Sequence, residues 1–493
     1  MSTPSGVGPA ASAGSDPAQP VRGPRKVLVF YDATQTFTNT VLEHLQCLAA
    51  LPDSTVYFCH ARPDTTLPLP LSAFDCVIIH YSVRIAFEML SPSDAWHVQG
   101  FGGLKCLFIQ DEYDHTETAR RWIERLGLHV VFTCVPPEHH DQIYPSRRFP
   151  GVTFATNLTG YVPGLLDALP APRPLSDRPI AIGYRGRQLP FWYGELAREK
   201  WVIGQRMREV CDDRGVVVDI AWDERARIYG DAWYAFLGSC RATLGTESGS
   251  NVFDDEGKIR KAMARHLRRH PSASFEEVQA TYLAGVEQPG LMNQVSPKIF
   301  EAIALRTALI LFEGRYSGVV EPGRHYLPLK KDFSNVDEVL TSLADDQLIE
   351  AMTARAYDDV IASGRYSYEA FGAFVGDTID RAVVHRAAQL APADDEHEAA
   401  IARAVDARTI TRVPIRAVPH NAAPAQVAAA ARAPEEGQAP SPVVFFETEP
   451  PRGTGHLVQR VFMPLWLIIP EPLRAQVRPA ARAVLRRLNA ARQ

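Results

Sequence analysis

A chain of 493 residues is long enough for two or three domains, each able to bury a core of its own. Its net charge of −5 argues against a general nucleic-acid binder, so no nucleic acid is expected as a partner and any basic surface has to be local. Seven cysteines, odd in number, scattered and without CxxC spacing, exclude a disulfide scaffold and read as buried, reduced thiols of a cytoplasmic protein.

Residues 1–24 are rich in Pro, Gly, Ala and Ser, lack the apolar core of a signal peptide, and are expected to be disordered. No apolar run anywhere approaches the roughly 20 residues needed to span a bilayer. From Lys26 a repeating pattern begins. Apolar runs KVLVFYD (26–32), TVYFCHA (55–61), DCVIIHY (75–81), LKCLFIQDE (104–112), HVVFTCV (129–135) and VTFAT (152–156) alternate with helix-like segments such as 38–51 and 116–126. Continuous apolar strands separated by helical periods predict a parallel sheet in a doubly wound α/β domain over 25–173.

The polar, proline-rich PAPRPLSDRP (170–179) reads as a linker. A second series follows: strands at 180–186, 216–222, 241–248 and 326–332, and helices over 195–214 and 229–239. Helices over 335–345, 347–362 and 368–386 close this second domain, 178–387. In VSPKIFEAIALRTALILFEG (295–314), Ser296 and Pro297 form a helix start, the serine hydroxyl being able to cap free amides. Ile299, Phe300 and Ile303 then share the packed arc, while Lys298, Glu301 and Ala302 take the open one, before the buried strand 308–312. Two Rossmann-like domains of similar size imply a cleft at the carboxyl ends of both strand sets, and a ligand belongs there.

Inside the second domain, EGKIRKAMARHLRRH (256–270) is a basic helical run, either a phosphate-facing or partner-binding lid or a solvated insertion. After residue 388 an Ala/Pro-rich linker runs to 457. The last stretch, 458–493, carries Arg474, Arg478, Arg482 and Arg486 at four-residue spacing behind the Trp-containing VFMPLWLIIP (461–470). This basic amphipathic tail suits an anionic membrane surface, hence a peripheral place at the inner membrane face, or a helix docked on the body.

GxGxxG and Walker A are both absent, so dinucleotide binding in its usual mode is not expected, and no HExxH or Cys/His spacing suggests a metal. The second domain does offer anion-binding groups. Arg185 and Arg187 follow its first strand, GTESGSN (245–251) supplies Glu247, Ser248 and Ser250 in a small-residue turn, and Ser296 and Lys298 stand at a helix start. Glu301, one turn further in, can accept hydrogen bonds from a ribose diol. The bland alternative for Lys298 and Glu301 is an i,i+3 surface pair.

The segment IFEAIALRTALILFEGRYSGVVEPGRHYLPLKKDFSNVDEVL (299–340) resembles the donor-binding segment of group 1 type glycosyltransferases with the two-domain GT-B fold. Glu301 and Ala302 match the family's helix, Gly318 to Glu321 its loop, and Asp332 with the following helix its end. The resemblance covers about 180–386 and reaches the first domain only in strand pattern. It implies a nucleotide-sugar-dependent transferase with the donor bound by 178–387 and the acceptor by 25–173. Glu301 would meet the nucleotide ribose, and Arg185, Arg187 and Lys298 would neutralise the diphosphate without a metal or further cofactor. A glycan, lipid-linked or protein acceptor is implied, as in polysaccharide biosynthesis.

Two departures matter. Asn293 stands where retaining members often have a second glutamate, and Leu305, Arg306 and Thr307 occupy a turn that usually holds glycine. Stereochemistry therefore stays open. If the reaction inverts, Asp32, His80, Asp111 and Glu112, all at strand ends of the first domain, are the candidates for the acceptor's base. A nucleotide-sugar epimerase and a non-catalytic assembly protein on the same scaffold are the alternatives.

Overall fold

The computed structural model describes residues 24–164, 169, 171–228 and 230–413. The tail at 458–493, expected at a membrane surface, and most of the expected linker and N-terminal segment lie outside these residues. The described chain builds two parallel sheets. In the first lobe β1 (Arg25–Tyr31), β2 (Ser54–His60), β3 (Cys76–Ile79), β4 (Leu104–Phe108), β5 (Val130–Thr133) and β6 (Thr153–Thr156) assemble in the order β2-β1-β3-β4-β5-β6. Helices α1 (Asn39–Ala49), α2 (Pro92–Gly100), α3 (Thr116–Leu126) and α4 (His140–Ile143) interleave with them.

The second lobe contains β7 (Ile180–Arg185), β8 (Val218–Ala221), β9 (Cys240–Gly245), β10 (Ala308–Phe312) and β11 (Leu327–Leu329), in the order β11-β10-β9-β7-β8. Its helices are α5 (Gly194–Arg214), α6 (Asp231–Gly238), α7 (Lys258–Arg269), α8 (Phe275–Tyr282), α9 (Pro297–Ala304), α10 (Val336–Ala344) and α11 (Asp346–Ala356). Two Rossmann-like units are thus present, as expected. The physical cause is visible on β1. Leu28 and Phe30 enter the core on one face while Val27, Val29 and Tyr31 enter the core on the other, so every side chain from Val27 to Tyr31 is buried.

Two elements fall elsewhere than expected. The helix over 368–386, α12 (Tyr368–Arg386), joins the first lobe's core through Tyr368, Phe371, Val375, Ile379 and Ala382 rather than closing the second. These residues recur at three- and four-residue steps, one helical stripe. Each fully buried apolar side chain of that stripe is worth about 1.5 to 3 kcal/mol, so the stripe outweighs proximity in sequence to the second lobe. The supposed linker also begins as structure. Helix α13 (Glu398–Asp406) places Ile401 and Ala404, with Ile410, in the first core, and Thr411 pairs antiparallel with Phe58 on the edge strand β2 (N–O distances 2.7 and 3.0 Å). An edge strand has unpaired amides and carbonyls, and this strap covers some of them.

The basic insertion is helical as predicted, and α7 with α8 encloses a small core of Val252, Met263, Val278 and Leu283. Its root touches the first lobe: the His115 amide donates to the Asp254 carbonyl oxygen at 3.0 Å and Arg120 pairs with Asp255 at 2.9 Å. All seven cysteines are free and buried. Among the described residues no helix is long and apolar enough to cross a membrane.

Candidate functional site

In a right-handed β-α-β unit the helix runs back along the sheet, so its N-terminus sits at the carboxyl ends of the strands. The segments following β4 and β5 face those following β7, β9 and β10. Tyr193 donates to Asp114 (2.9 Å), Arg315 pairs with Glu138 (3.2 Å), and Gln294 donates through Nε2 to the Cys134 carbonyl oxygen. The N-terminal turns of α1, α6, α9 and α12 are tied to one another, through Asn39 with Tyr234, Trp233 with Glu301 and Tyr368 with Glu43.

On α9 the exposed Lys298 donates through Nζ to the Arg185 carbonyl oxygen (2.8 Å) and lies 5.0 Å from the centre of the Trp233 ring. Glu301 accepts from the Trp233 indole N–H at 2.8 Å. Each head group therefore bonds beyond α9, unlike an isolated surface pair. Ala302, expected on the open arc, is buried, so the open side is confined to the charged residues. Although the side chain keeps solvent access, the atoms crowded around its head group lower the pKa of Lys298, opposed by Glu301 and reinforced by Arg227 and Arg185. Burial raises that of Glu301, against the Trp233 hydrogen bond and Lys298.

The positive character of the recess is strongest at a residue the sequence reading passed over. Lys200, on the second turn of α5, extends to within 3.4 Å of the Ser248 hydroxyl. Its pKa is lowered to about 8, by burial first, then by Lys298 and Arg187, with Asp111 as the opposing charge. Its signal in the sequence was position alone: the first turns of a helix that follows the lobe's first strand open on the cleft. Arg187 is exposed at the same rim.

The other expected donor residues are placed less directly. Arg185 directs its guanidinium away, into an ion pair with Asp219 (2.9 Å) and over the Phe236 ring (4.2 Å), and only its carbonyl meets Lys298. Buried Glu247 accepts from the backbone amides of Arg315 (3.1 Å) and Tyr316 (2.8 Å) and from the Asn293 side chain (2.6 Å). It acts as a staple between loops. A glutamate at 293 would set two carboxylates against each other, so asparagine there fits its neighbour. Ser248 pairs its backbone with Gln294, leaving its hydroxyl toward Lys200. Between them Gly249 has φ +99°, and a Cβ there would lie 2.1 Å from the Met292 carbonyl oxygen, so the turn requires glycine. Ser250 is buried and bonds the Tyr193 carbonyl oxygen and the Val252 amide. Ser296 is the N-cap of α9 but makes no side-chain cap bond, contrary to expectation; proline at the first helical position carries that start.

Of the four first-lobe candidates, three are enclosed. His80 is fully buried, receiving the Ser82 amide on Nδ1 (3.1 Å) with Nε2 3.1 Å from His44 Nδ1. A neutral imidazole protonated on Nε2 satisfies both contacts, and burial holds its pKa well below the ordinary value. Glu112 is also fully buried, accepting from the Thr133 hydroxyl (2.5 Å) and the Cys134 amide (2.9 Å), and burial raises its pKa to about 7. Asp32 caps its own turn through the Thr34 amide (2.9 Å) and hydroxyl (2.7 Å). Asp111 alone is exposed, toward Lys200, with Tyr113 donating to it at 2.6 Å.

A carboxyl not singled out from sequence feels the charge of Glu301. Glu43, on the second turn of α1, accepts from the Gly164 amide (3.0 Å) and the Tyr368 hydroxyl. Its pKa is raised to about 7, by burial first and then by Glu301. Beside it Asn39 hydrogen-bonds Tyr234, tying α1 to α6. No group of three or more His, Cys, Asp or Glu suited to a metal ion occurs among the described residues.

No protein-family model matches the chain, and no curated protein matches it. Solved structures do. HepE of Anabaena in complex with UDP is 12% identical over 72% of this chain and 100% of its own, with a TM-score of 0.42. The β-glucosyltransferase of phage T4 in complex with UDP-glucose is 11% identical over 73% of this chain and 99% of its own, at 0.39. TarM is 12% identical over 62% of this chain, at 0.34, and the chain spans 54% of TarM's length.

Proposed function

We propose that this protein is a glycosyltransferase that moves a sugar from a nucleotide-diphosphate sugar to a glycan, lipid-linked or protein acceptor. The observation that carries this reading is Lys200, whose ammonium is desolvated 3.4 Å from the Ser248 hydroxyl and near Lys298 and Arg187, with Asp111 opposing them. Like charges gathered in a recess raise the free energy of the empty site, and a bound anion of two or more charges lowers it. A diphosphate fits that need. Beside it, the Glu301 carboxylate on the α9 start can accept from a ribose diol, with the Trp233 indole fixing its orientation. In this reading Lys200, Lys298 and Arg187 stabilise the charge that develops on the leaving diphosphate, while Arg185 and Glu247 support the wall. The resemblance of 299–340 to the donor segment of group 1 type enzymes supports the same assignment, as do the nucleotide-bound proteins among the similar structures. The basic tail outside the described residues would hold the enzyme at an anionic membrane surface.

Titrating purified protein with uridine, guanosine and adenosine diphosphate sugars tests this. Binding of at least one is expected, with nucleotide release only when an acceptor is added. Glu301→Ala should weaken binding by about 1 to 2 kcal/mol, roughly 5- to 30-fold, as for loss of a charge-assisted hydrogen bond. Unchanged affinity would return Glu301 to a surface role, and absence of binding would end the reading.

A further inference from the structure

We infer that the outer face of α7 is a docking surface for anionic lipid headgroups; this goes beyond the transferase reading and does not rest on it. Between Lys258 and His270 the chain carries six Lys or Arg and no Asp or Glu, in a protein whose net charge is −5. The structure sorts the helix into two faces. Ile259, Met263 and Leu267 recur at four-residue steps and pack with Val252, Val278 and Leu283. Lys261, Arg265 and Arg268 stand on the opposite side at 100° per residue, with Arg269 beside them, and all four are exposed.

The remaining charges of the helix are matched within the molecule. Lys258 pairs with Glu256 at 2.7 Å, Arg260 lies over the Trp192 ring (5.2 Å) and 4.0 Å from Asp114, and His266 lies 3.6 Å from Glu277. Among the described residues no carboxylate pairs with Lys261, Arg265, Arg268 or Arg269, and Lys261 reaches only the Glu256 carbonyl oxygen at 3.5 Å. Elsewhere in the same lobe Arg198, Arg214, Arg241 and Arg324 each hold a carboxylate at 2.5 to 2.7 Å. Like charges four residues apart repel, so Lys261 with Arg265 and Arg265 with Arg269 work against the helix. The helix dipole offsets this for Arg268 and Arg269 in the last turn but not for Lys261 or Arg265. A negative surface laid along the row removes the repulsion.

The row is also rigidly mounted. Gly257, just before α7, packs so closely on His115 that a Cβ would lie 2.7 Å from its ring, and Asp254 exchanges backbone hydrogen bonds with Tyr113 and His115 (2.9 and 3.0 Å). Every exposed position of α7 is Lys or Arg, and the row from Lys261 to Arg269 is about 12 Å long at 1.5 Å per residue. Such a face answers a diffuse negative potential rather than one bound group. A cluster of about four to eight Lys or Arg beside an apolar anchor is what an anionic bilayer attracts. The anchor is present in the sequence as VFMPLWLIIP (461–470), and stable attachment takes an apolar and a basic signal together.

The test uses the full chain and sedimentation with vesicles of phosphatidylcholine alone or with about one third phosphatidylglycerol. Wild type should partition onto the anionic vesicles and come off at high salt, which screens exposed charges. Lys261→Gln, Arg265→Gln, Arg268→Gln and Arg269→Gln together should lower partition at least about 30-fold, each charge being worth roughly fivefold. Glutamine keeps the helix propensity, so thermal unfolding should not move. Arg265→Lys, Arg268→Lys and Arg269→Lys together keep the charge and should bind within about threefold of wild type. Arg265→Glu alone should lower partition about 10-fold, and decides the matter should the fourfold glutamine variant misfold. With Arg474→Gln, Arg478→Gln, Arg482→Gln and Arg486→Gln already in place, the four α7 changes should still lower partition, which separates the row from the tail. Partition of the glutamine variant within about threefold of wild type, or an equal loss in the lysine variant, would overturn the inference. So would a wild type that holds inorganic polyphosphate through this row and ignores anionic vesicles, which would make the partner a soluble polyanion.

Discussion

The two lobes place polar side chains at equivalent points, the carboxyl ends of parallel strands, and use them in opposite ways. In the first lobe His80, Glu112 and Asp32 turn inward and are matched by local hydrogen bonds. In the second lobe Lys200, Lys298 and Arg187 gather around a recess in which burial, then the charges of Lys298 and Arg187, hold the Lys200 pKa down. Strand-end position therefore fixes where a residue starts, and the available partners decide whether its charge is neutralised internally or presented to a ligand. Variants of the first group should change stability and spare ligand affinity; variants of the second should do the reverse.

The largest effect is expected at His80. Removing its ring in His80→Ala leaves a cavity and unpairs His44 and Ser82, and should cost about 3 kcal/mol or more of folding stability. Chemical denaturation measures that loss, and nucleotide-sugar affinity under native conditions should not move. Glu112 gives a pH-dependent version. Its folded pKa, about 7, lies above the ordinary carboxyl value of 4.5, so its contribution to stability is complete below pH 4.5 and is lost as pH rises through about 7. Glu112→Gln should flatten that limb, stabilising the protein by about 3 kcal/mol at pH 8 relative to its difference at pH 4. The neighbouring His44, lowered to about 3, has the opposite sign: its contribution is present above pH 6.5 and is lost as pH falls toward 3. A denaturation series from pH 4 to 8 separates the two.

Lys200 gives the smallest effect and the inverse pattern. Lys200→Met keeps the aliphatic stem and removes the charge, so nucleoside diphosphate affinity should fall by about 2 kcal/mol, roughly 30-fold, with no loss of stability. In the wild type the protonated form binds the anion, so affinity measured by calorimetry should decline as pH rises through about 8. A Lys200→Met protein that unfolds more readily but binds as before would break the contrast between the lobes.

Much of the fold was legible because its cause is local. Strands buried on both faces are continuous apolar runs, and helices α3 and α12 show their full periods, so their limits agree with those read from sequence. The turn after α9 was legible only as a departure. Arg306 occupies it with φ +53°, a conformation costly for a residue with a side chain, and its guanidinium lies 3.9 Å from the Tyr357 ring centre. A cation–π contact of about 0.5 to 1 kcal/mol offsets part of that strain, a contact no local pattern announces.

The sequence by itself determined two parallel α/β units, the buried arc of α9 and the outward position of Lys298 and Glu301, since burial on one face of a helix or both faces of a strand leaves a periodic trace. Only the tertiary structure decided that α12 belongs to the first sheet, that Arg185 turns to Asp219, that Glu112 is sealed while its neighbour Asp111 is open, and that Glu43 on α1 takes the Gly164 amide. These depend on pairings between residues far apart in the chain. A side chain's charge state and access follow from the atoms packed against it, and periodicity records which face is covered without recording by what.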